Sequence, residues 1–380
     1  MTVRQWRGGR DWEEVKRIGG GGQSEVFLVR NAERIAERKK HLSKLMELAG
    51  QGFNDVRAEQ FAEATLSYGR ADQISELGAI KIYNPRAAGL AAEKQALERL
   101  RIETSVLGQG RTGLPRLLDS NEGARWIVTE YLPGGTLEDH VLDCMGNPLK
   151  CLTYFRPLVE TVASLHKENI FHRDIKPANV FMGRDSGLIL GDFGIAFLPD
   201  RPERVTFTNE SVGPQHYMPP WAESEERLGE VGGNFDVYML GKLLWCMVAG
   251  RLRLVREWYR KPEFDITLKF PDDPYMHSIN AILDKCLVDD PDKCLPQASE
   301  LLEIVDAHLS VMRRGGQMLR DGVPRPCRIC GKGLYKAEGP DGRQAGTQLL
   351  NDNRVGVGVI YFRLLICDYC QHVELFKVSN

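Results

Sequence analysis

The sequence predicts an α+β fold in two lobes, strand-rich first and helix-rich second, followed by a small β module. Three observations predict it. Strand-like segments recur up to about residue 132, helical ones dominate from about 133 to 312, and two CxxC pairs sit in residues 327–380. A chain of 380 residues can hold two core-forming domains and an appendage. Residues 313–326, RRGGQMLRDGVPRP, have the glycine, proline and charge content of a linker.

Residues 12–30, WEEVKRIGGGGQSEVFLVR, read as two short strands flanking a glycine cluster. Residues 31–78 change character, becoming charged and alanine-rich, with Ile35, Leu42, Leu45 and Ala49 near helical spacing. Two helices joined around Gly50–Gly52 fit this insertion. A strand follows at GAIKIYN, then a helix from about Ala87 to Arg101, a strand around RWIVTEYL, and a mostly helical remainder.

A hydrophobic content of 42%, charged content of 27% and formal net charge of −2 describe an ordinary soluble chain, so bulk charge names no partner. The N-terminus has no apolar run behind its basic residues and does not read as a signal peptide. The most apolar stretch, Val237–Gly250, contains Lys242 and is shorter than the roughly 20 residues of a membrane span, so a buried helix and no membrane partner are expected. Cys144, Cys151, Cys246, Cys286 and Cys294 are scattered without pairing spacing, which suits reduced thiols and a cytoplasmic location.

Several short motifs point to phosphate chemistry. IGGGGQSEV (18–26) can be written GxGxx(S)xV, with Gly19, Gly21 and then Ser24; a glycine loop between strands lets backbone N–H groups approach phosphate oxygens. Lys81 sits in AIK on an expected strand, and Glu93 lies in the following helix with Leu97 and Leu100 on its face. A buried lysine needs a carboxylate, and a Lys81–Glu93 pair would hold the ammonium for nucleotide phosphates. HRDIKPANV follows at 172–180, and thirteen residues past Asn179 comes Asp192-Phe193-Gly194.

In this order the motifs resemble the signature set of eukaryotic-type (Hanks-type) serine/threonine protein kinases over roughly residues 12–312. The resemblance implies a bilobal protein-kinase-like fold at 1–312, with an N-lobe at about 1–132 carrying the helical insertion at about 31–78, and a C-lobe at about 133–312. It implies ATP, Mg²⁺ (or Mn²⁺) and a protein substrate. Lys81 would bind the α and β phosphates with Glu93 orienting it, Asp174 would accept the substrate hydroxyl's proton, and Asn179 and Asp192 would hold the metal. Lys176 matches the lysine beside the transferred phosphate. Ile18, Gly19 and Gly21 join the nucleotide site, with Val26 and Ala79 above the adenine and Phe181 below it. Backbone groups of Glu130 and Leu132 serve as hinge partners, and Thr129 stands at the back. Asp236 matches an aspartate that braces the catalytic loop from a core helix. Arg173 implies a phosphate receiver, with Thr206, Thr208 and Ser211 as candidate autophosphorylation sites and Glu210 as a constitutive alternative.

The pattern also breaks. VGPQHYMPPW puts Trp221 where the family has the glutamate of APE, and DPDKC puts Cys294 where its arginine partner would stand. Loss of one partner would strand a buried charge at roughly 3–5 kcal/mol, whereas loss of both can be nearly neutral, so a repacked joint is expected. Pro214 replaces a threonine that contacts the catalytic aspartate and lysine, and Ser24 replaces a third glycine. These departures keep a nucleotide-binding pseudokinase scaffold open as an alternative. A small-molecule kinase shares the architecture, but Lys176 favours a protein substrate.

The module at 327–380 holds Cys327 and Cys330, then Cys367 and Cys370, with 36 residues between the pairs. Two CxxC turns can complete a tetrahedral site, and GLYKAEG and VGVIYFRLLI are strand-like. The module resembles a zinc ribbon, implying structural Zn²⁺ as its staple. A redox CxxC would explain one pair and leave the other idle. His372 is not needed as a ligand. The formal charge of residues 313–380 is +5, or +3 with four thiolates and Zn²⁺, which supports nucleic acid binding only weakly. A protein partner at the ribbon or at the helical insertion is the broader expectation.

Overall fold

Side-chain alternation along six antiparallel strands gives the first of two units its two chemically distinct faces. The computed structural model describes residues 5–7, 9–21, 24–49, 55–72, 77–84, 89–183, 187–198, 216–223, 232–273 and 275–313, with three strands at 335–337, 362–367 and 373–377. The first unit comprises Met1–Gly135, His172–Asp174 and Asn179–Thr208, and the second comprises the remainder.

In the first unit β1 (Gln5–Arg7), β2 (Asp11–Gly21), β3 (Ser24–Asn31), β4 (Leu77–Tyr83), β5 (Leu117–Asn121) and β6 (Trp126–Glu130) form a sheet of order β1-β2-β3-β4-β6-β5. Phe27 faces Ile80, and Ile80 faces Val128; with Trp12, Val29 and Trp126 they form a buried cluster on one face. On the other face Val26 lies opposite Lys81 and Lys81 opposite Ile127, while Ala79 lies opposite Thr129. A one-residue slip would exchange the two faces. Asp119 fastens the N-terminal strand, accepting from the backbone N–H of Gly9 at 3.3 Å and Arg10 at 3.0 Å and from Trp12 Nε1 at 3.0 Å.

Strand β2 runs into the glycine cluster instead of ending before it, pairing Gly19 with Val26 and Gly21 with Ser24. Gly20 has φ 131°, and a Cβ there would meet Ser24 O at 2.7 Å, so only glycine fits this close hairpin. Between β3 and β4 stand α1 (Ala32–Ala49) and α2 (Asp55–Asp72), which pack on each other. The expected apolar stripe of α1 is shifted: Leu48 is buried, while Leu42 is exposed, because the helix turns the 48 side toward the core. Their junction at 50–54 lies outside the described residues.

Helix α3 spans Leu90–Leu107, not 87–101. Its apolar face continues past Arg101 through the buried Ile102, Val106 and Leu107, and it stops at Gly108, whose N–H donates to Thr104 O at 2.9 Å. Strand β5 was not legible in the sequence: all five residues are half-buried, so no alternation marks it. It joins β6 through a turn in which Asn121 Oδ1 accepts from Ala124 N–H at 2.9 Å. A separate two-stranded ribbon, β7 (Val180–Met182) with β8 (Leu188–Leu190), completes the unit.

The second unit is helical: α4 (Pro148–His166), α5 (Gly233–Ala249), α6 (Ile266–Lys269), α7 (Met276–Cys286) and α8 (Ala298–Arg313). Asn147 caps α4 by accepting from Lys150 N–H, with Pro148 at the first helical position. Arg156 forks onto Asp306 of α8 at 2.6 and 3.1 Å, tying α4 to α8. The apolar stretch expected to be a buried helix is α5, and no described helix is long and apolar enough to cross a membrane. Buried Lys242 of α5 donates to the carbonyls of Leu254 and Arg256, while burial lowers its pKa to about 8. Strands β9 (Tyr335–Ala337), β10 (Phe362–Cys367) and β11 (Val373–Lys377) form an antiparallel sheet of order β11-β10-β9.

Burial lowers the pKa of His308 on α8 from 6.5 to about 4. The fold therefore holds the neutral ring, and the unfolded chain binds the extra proton below pH 6.5. His308's contribution is fully present above pH 6.5 and is lost as pH falls toward 4, by about 3 kcal/mol. Denaturant titrations should show wild type losing about that much more stability than His308→Leu between pH 6.5 and 4; parallel pH curves would contradict this.

Candidate active site

Lys81 projects from the half-buried face of β4, and its Nζ lies 2.9 Å from Glu103 Oε2 and 2.6 Å from Asp192 Oδ1. Burial opposes the ammonium charge, but Asp192 and then Glu103 outweigh it, and the Lys81 pKa is raised. The lysine thus stays cationic with two carboxylates from separate elements on it.

The partner on α3 is Glu103, which corrects the expected Lys81–Glu93 pair. Glu93 is exposed in the first turn of α3, whereas Glu103 is 4% exposed near the helix end. Ten residues separate them, and the pairing follows from the helix extending to Leu107. A sequence signal existed: Glu103 interrupts an apolar face formed by Leu100, Val106 and Leu107, while Glu93 follows Ala91 and Ala92.

Around Asp174 the loop is held by its own side chains. Asn179 Nδ2 donates to Asp174 O and Oδ2, both at 2.8 Å. His172 Nδ1 accepts from Asp174 N–H at 3.2 Å, so its Nε2 carries the proton and donates to Gly191 O at 3.0 Å. The His172 ring meets Phe193 edge-on at 4.6 Å, and Gly191 N–H donates to Asn179 O at 2.9 Å. Arg173 and Asp192 have φ 68° and 64°. Non-glycine residues there cost on the order of 1 kcal/mol or more each, a strain that persists where surroundings fix the backbone.

Val26, Ala79 and Thr129 are half-buried on the Lys81 face, in contrast with the buried cluster opposite. Ile18 is 38% exposed on β2, beside the backbone of Gly19 and Gly21 in the hairpin. Phe181 on β7 is half-buried, its ring 2.8 Å from where a Cβ on Gly191 would stand. Glu130 ends β6, donating its N–H to Arg116 O at 2.9 Å, and Leu132 O accepts from Gly135 N–H at 3.5 Å.

The donors fit Mg²⁺. Asp192 offers a half-exposed carboxylate, and Asn179, with Nδ2 committed to Asp174, presents its amide oxygen as the remaining ligand atom; both are hard oxygen donors.

In the second unit Asp236 is buried on α5 and its Oδ2 accepts from His166 Nε2 at 3.1 Å, while His166 Nδ1 accepts from Ala298 N–H at 3.2 Å. Asp236 therefore braces the end of α4. Lys176 also belongs to this unit and is half-buried. Trp221 meets Tyr238 edge-on at 5.4 Å, and Tyr238 donates to Glu257 at 2.5 Å. Cys294 is buried, its Sγ 3.5 Å from Asn234 O and 3.4 Å from Cys286 O. Ring and thiol contacts thus stand at the positions where the family has an ion pair and a repacked joint was expected. Thr206, Thr208, Glu210, Ser211, Pro214, Cys327, Cys330, Cys370, His372 and nearly all of the linker lie outside the described residues, and Cys367 is described only as the backbone end of β10.

The chain belongs to the protein kinase domain family, whose model matches residues 64–303. The match opens inside α2, so the glycine hairpin precedes it. Among relatives, rice CBL-interacting protein kinase 16 is 29% identical over 59% of this chain and 48% of its own length. Fission yeast serine/threonine-protein kinase chk1 is 28% identical over 52% of this chain and 39% of its own length. Bacillus subtilis serine/threonine-protein kinase PrkC is 31% identical over 36% of this chain and 20% of its own length. The chain thus spans less than half the length of these relatives.

In a phosphotransfer assay Glu103→Gln should lower the rate at least about tenfold, the loss of one charged hydrogen bond. Glu93→Gln should stay within about twofold of wild type. Equal losses in the two variants would contradict the pairing.

Proposed function

We propose that the protein is an ATP- and Mg²⁺-dependent serine/threonine protein kinase. The observation that carries the reading is the single Lys81 ammonium held between Glu103 and Asp192, in the same unit as Asp174 fixed by Asn179. The relatives' names, all protein kinases, support the same class.

In the proposed reaction a substrate hydroxyl oxygen forms a bond to the γ-phosphorus of ATP. The bond from that phosphorus to the bridging oxygen breaks, ADP leaves, and Asp174 accepts the hydroxyl proton. Lys81 binds the α and β phosphates, and Glu103 keeps its ammonium in place. Asn179 and Asp192 would hold Mg²⁺, which supplies charge neutralisation on the phosphates. Lys176, two residues past Asp174, is assigned to the transferred phosphoryl group. Ile18, Gly19, Gly21, Val26, Ala79, Phe181 and the backbone of Glu130 and Leu132 are assigned to the nucleotide.

Radiolabelled ATP with Mg²⁺ and a generic protein should give labelled phosphoserine or phosphothreonine. Asp174→Asn should lower transfer at least about a hundredfold. Nucleotide binding without transfer in wild type would instead identify a pseudokinase scaffold, and turnover confined to small alcohols a small-molecule kinase. Autophosphorylation at Thr206, Thr208 or Ser211 belongs to the proposal; an intact mass after ATP that never exceeds that of Asp174→Asn rejects it.

The C-terminal module is assigned as a structural zinc ribbon on Cys327, Cys330, Cys367 and Cys370, with a targeting or regulatory role toward a protein partner. The spacing of the two CxxC pairs supports it. Purified wild-type protein should contain one equivalent of zinc, and the Cys327→Ser, Cys330→Ser double variant should lose it; unchanged metal content counts against the ribbon.

A further inference from the structure

Strand β4 places Tyr83 two residues beyond Lys81, so period-two alternation puts both side chains on one face. The Tyr83 ring lies 5.0 Å from Lys81 Nζ, and its hydroxyl donates to Glu103 Oε2, the same oxygen that Lys81 contacts. Tyr83 is 2% exposed, and a Cβ on Gly194 would sit 3.8 Å from its Cε1. The one side chain therefore meets the strand lysine and the helix glutamate, with Gly194 of the Asp192 segment close by. Gly89 at the start of α3 gives no side-chain cap, and β4 reaches this helix through the two hydrogen bonds on Glu103.

We propose that Tyr83 is a positioning residue for phosphate transfer, its hydroxyl holding Glu103 against β4 while Lys81 exchanges Asp192 for nucleotide phosphates. The proposal rests on the kinase reading above. Lys81 has three N–H donors, and phosphate oxygens compete with both carboxylates for them. A second donor on Glu103 that takes no part in that competition keeps the carboxylate, and with it α3, in place. Burial and then the Glu103 charge raise the Tyr83 pKa well above 10, so the hydroxyl remains a donor throughout the working pH range.

Tyr83→Phe keeps the ring and removes only the donor. It is measured with Glu103→Leu, which leaves no acceptor at that position, and the double variant for kcat, nucleotide Kd and thermal unfolding midpoint. Tyr83→Phe should lower kcat about tenfold while nucleotide Kd moves less than about threefold, and it should cost nothing further in the Glu103→Leu background. A kcat within twofold of wild type, or a loss that multiplies in full with that of Glu103→Leu, overturns the proposal. Should wild type transfer no phosphate, the kinase reading falls, and the cycle read on unfolding midpoints decides the hydroxyl's role: non-additive losses support it and additive losses overturn it.

Discussion

One ammonium shared by two carboxylates is the constraint on which the first unit depends. A cation as sheltered as Lys81 is tolerable only with countercharge in hydrogen-bond contact, and Glu103 and Asp192 supply it with one negative charge to spare. The β3–β4–β6 register must turn residue 81 to the open face of the sheet. Helix α3 must run long enough to deliver Glu103. The backbone at Asp192 must enter the left-handed region to present its carboxylate. Three unrelated elements are thereby fixed against one side chain.

The loop residues of this site were readable because their function lives in short, fixed spacings. Asp174 and Asn179 are five residues apart in one loop, and the hydrogen bonds between them are local. Glu103 was not readable from spacing, because position along a helix says nothing about which turn meets the sheet. The choice between Glu93 and Glu103 depends on where α3 ends, a matter settled by the glycines at 108 and 110 and by burial of the last two turns. Strand β5 failed for the opposite reason: residues neither fully buried nor exposed leave no alternation to read. In α1 periodicity identified the helix but misplaced its inner face, because a charged helix with few apolar residues fits more than one rotation.

The joint marked by Trp221 and Cys294 illustrates how paired substitutions leave a fold intact. An aromatic edge on Tyr238 and a buried thiol near two carbonyls need no counterion, so neither side carries a stranded charge. Two charged groups that remain inside this unit have partners: Asp236 has His166, and Lys242 has two carbonyls.

The helical pair α1–α2 separates in sequence two strands that are neighbours in the sheet. Joining β3 to β4 therefore closes a loop over residues 32–76, an entropic cost that a tight hairpin such as β2–β3 does not carry. Helices that form locally shorten the effective loop that must close before the strand bearing the lysine can pair. The reactive cation thus hangs on a non-local contact, and folding rate more than final stability is where lengthening this insertion is expected to register.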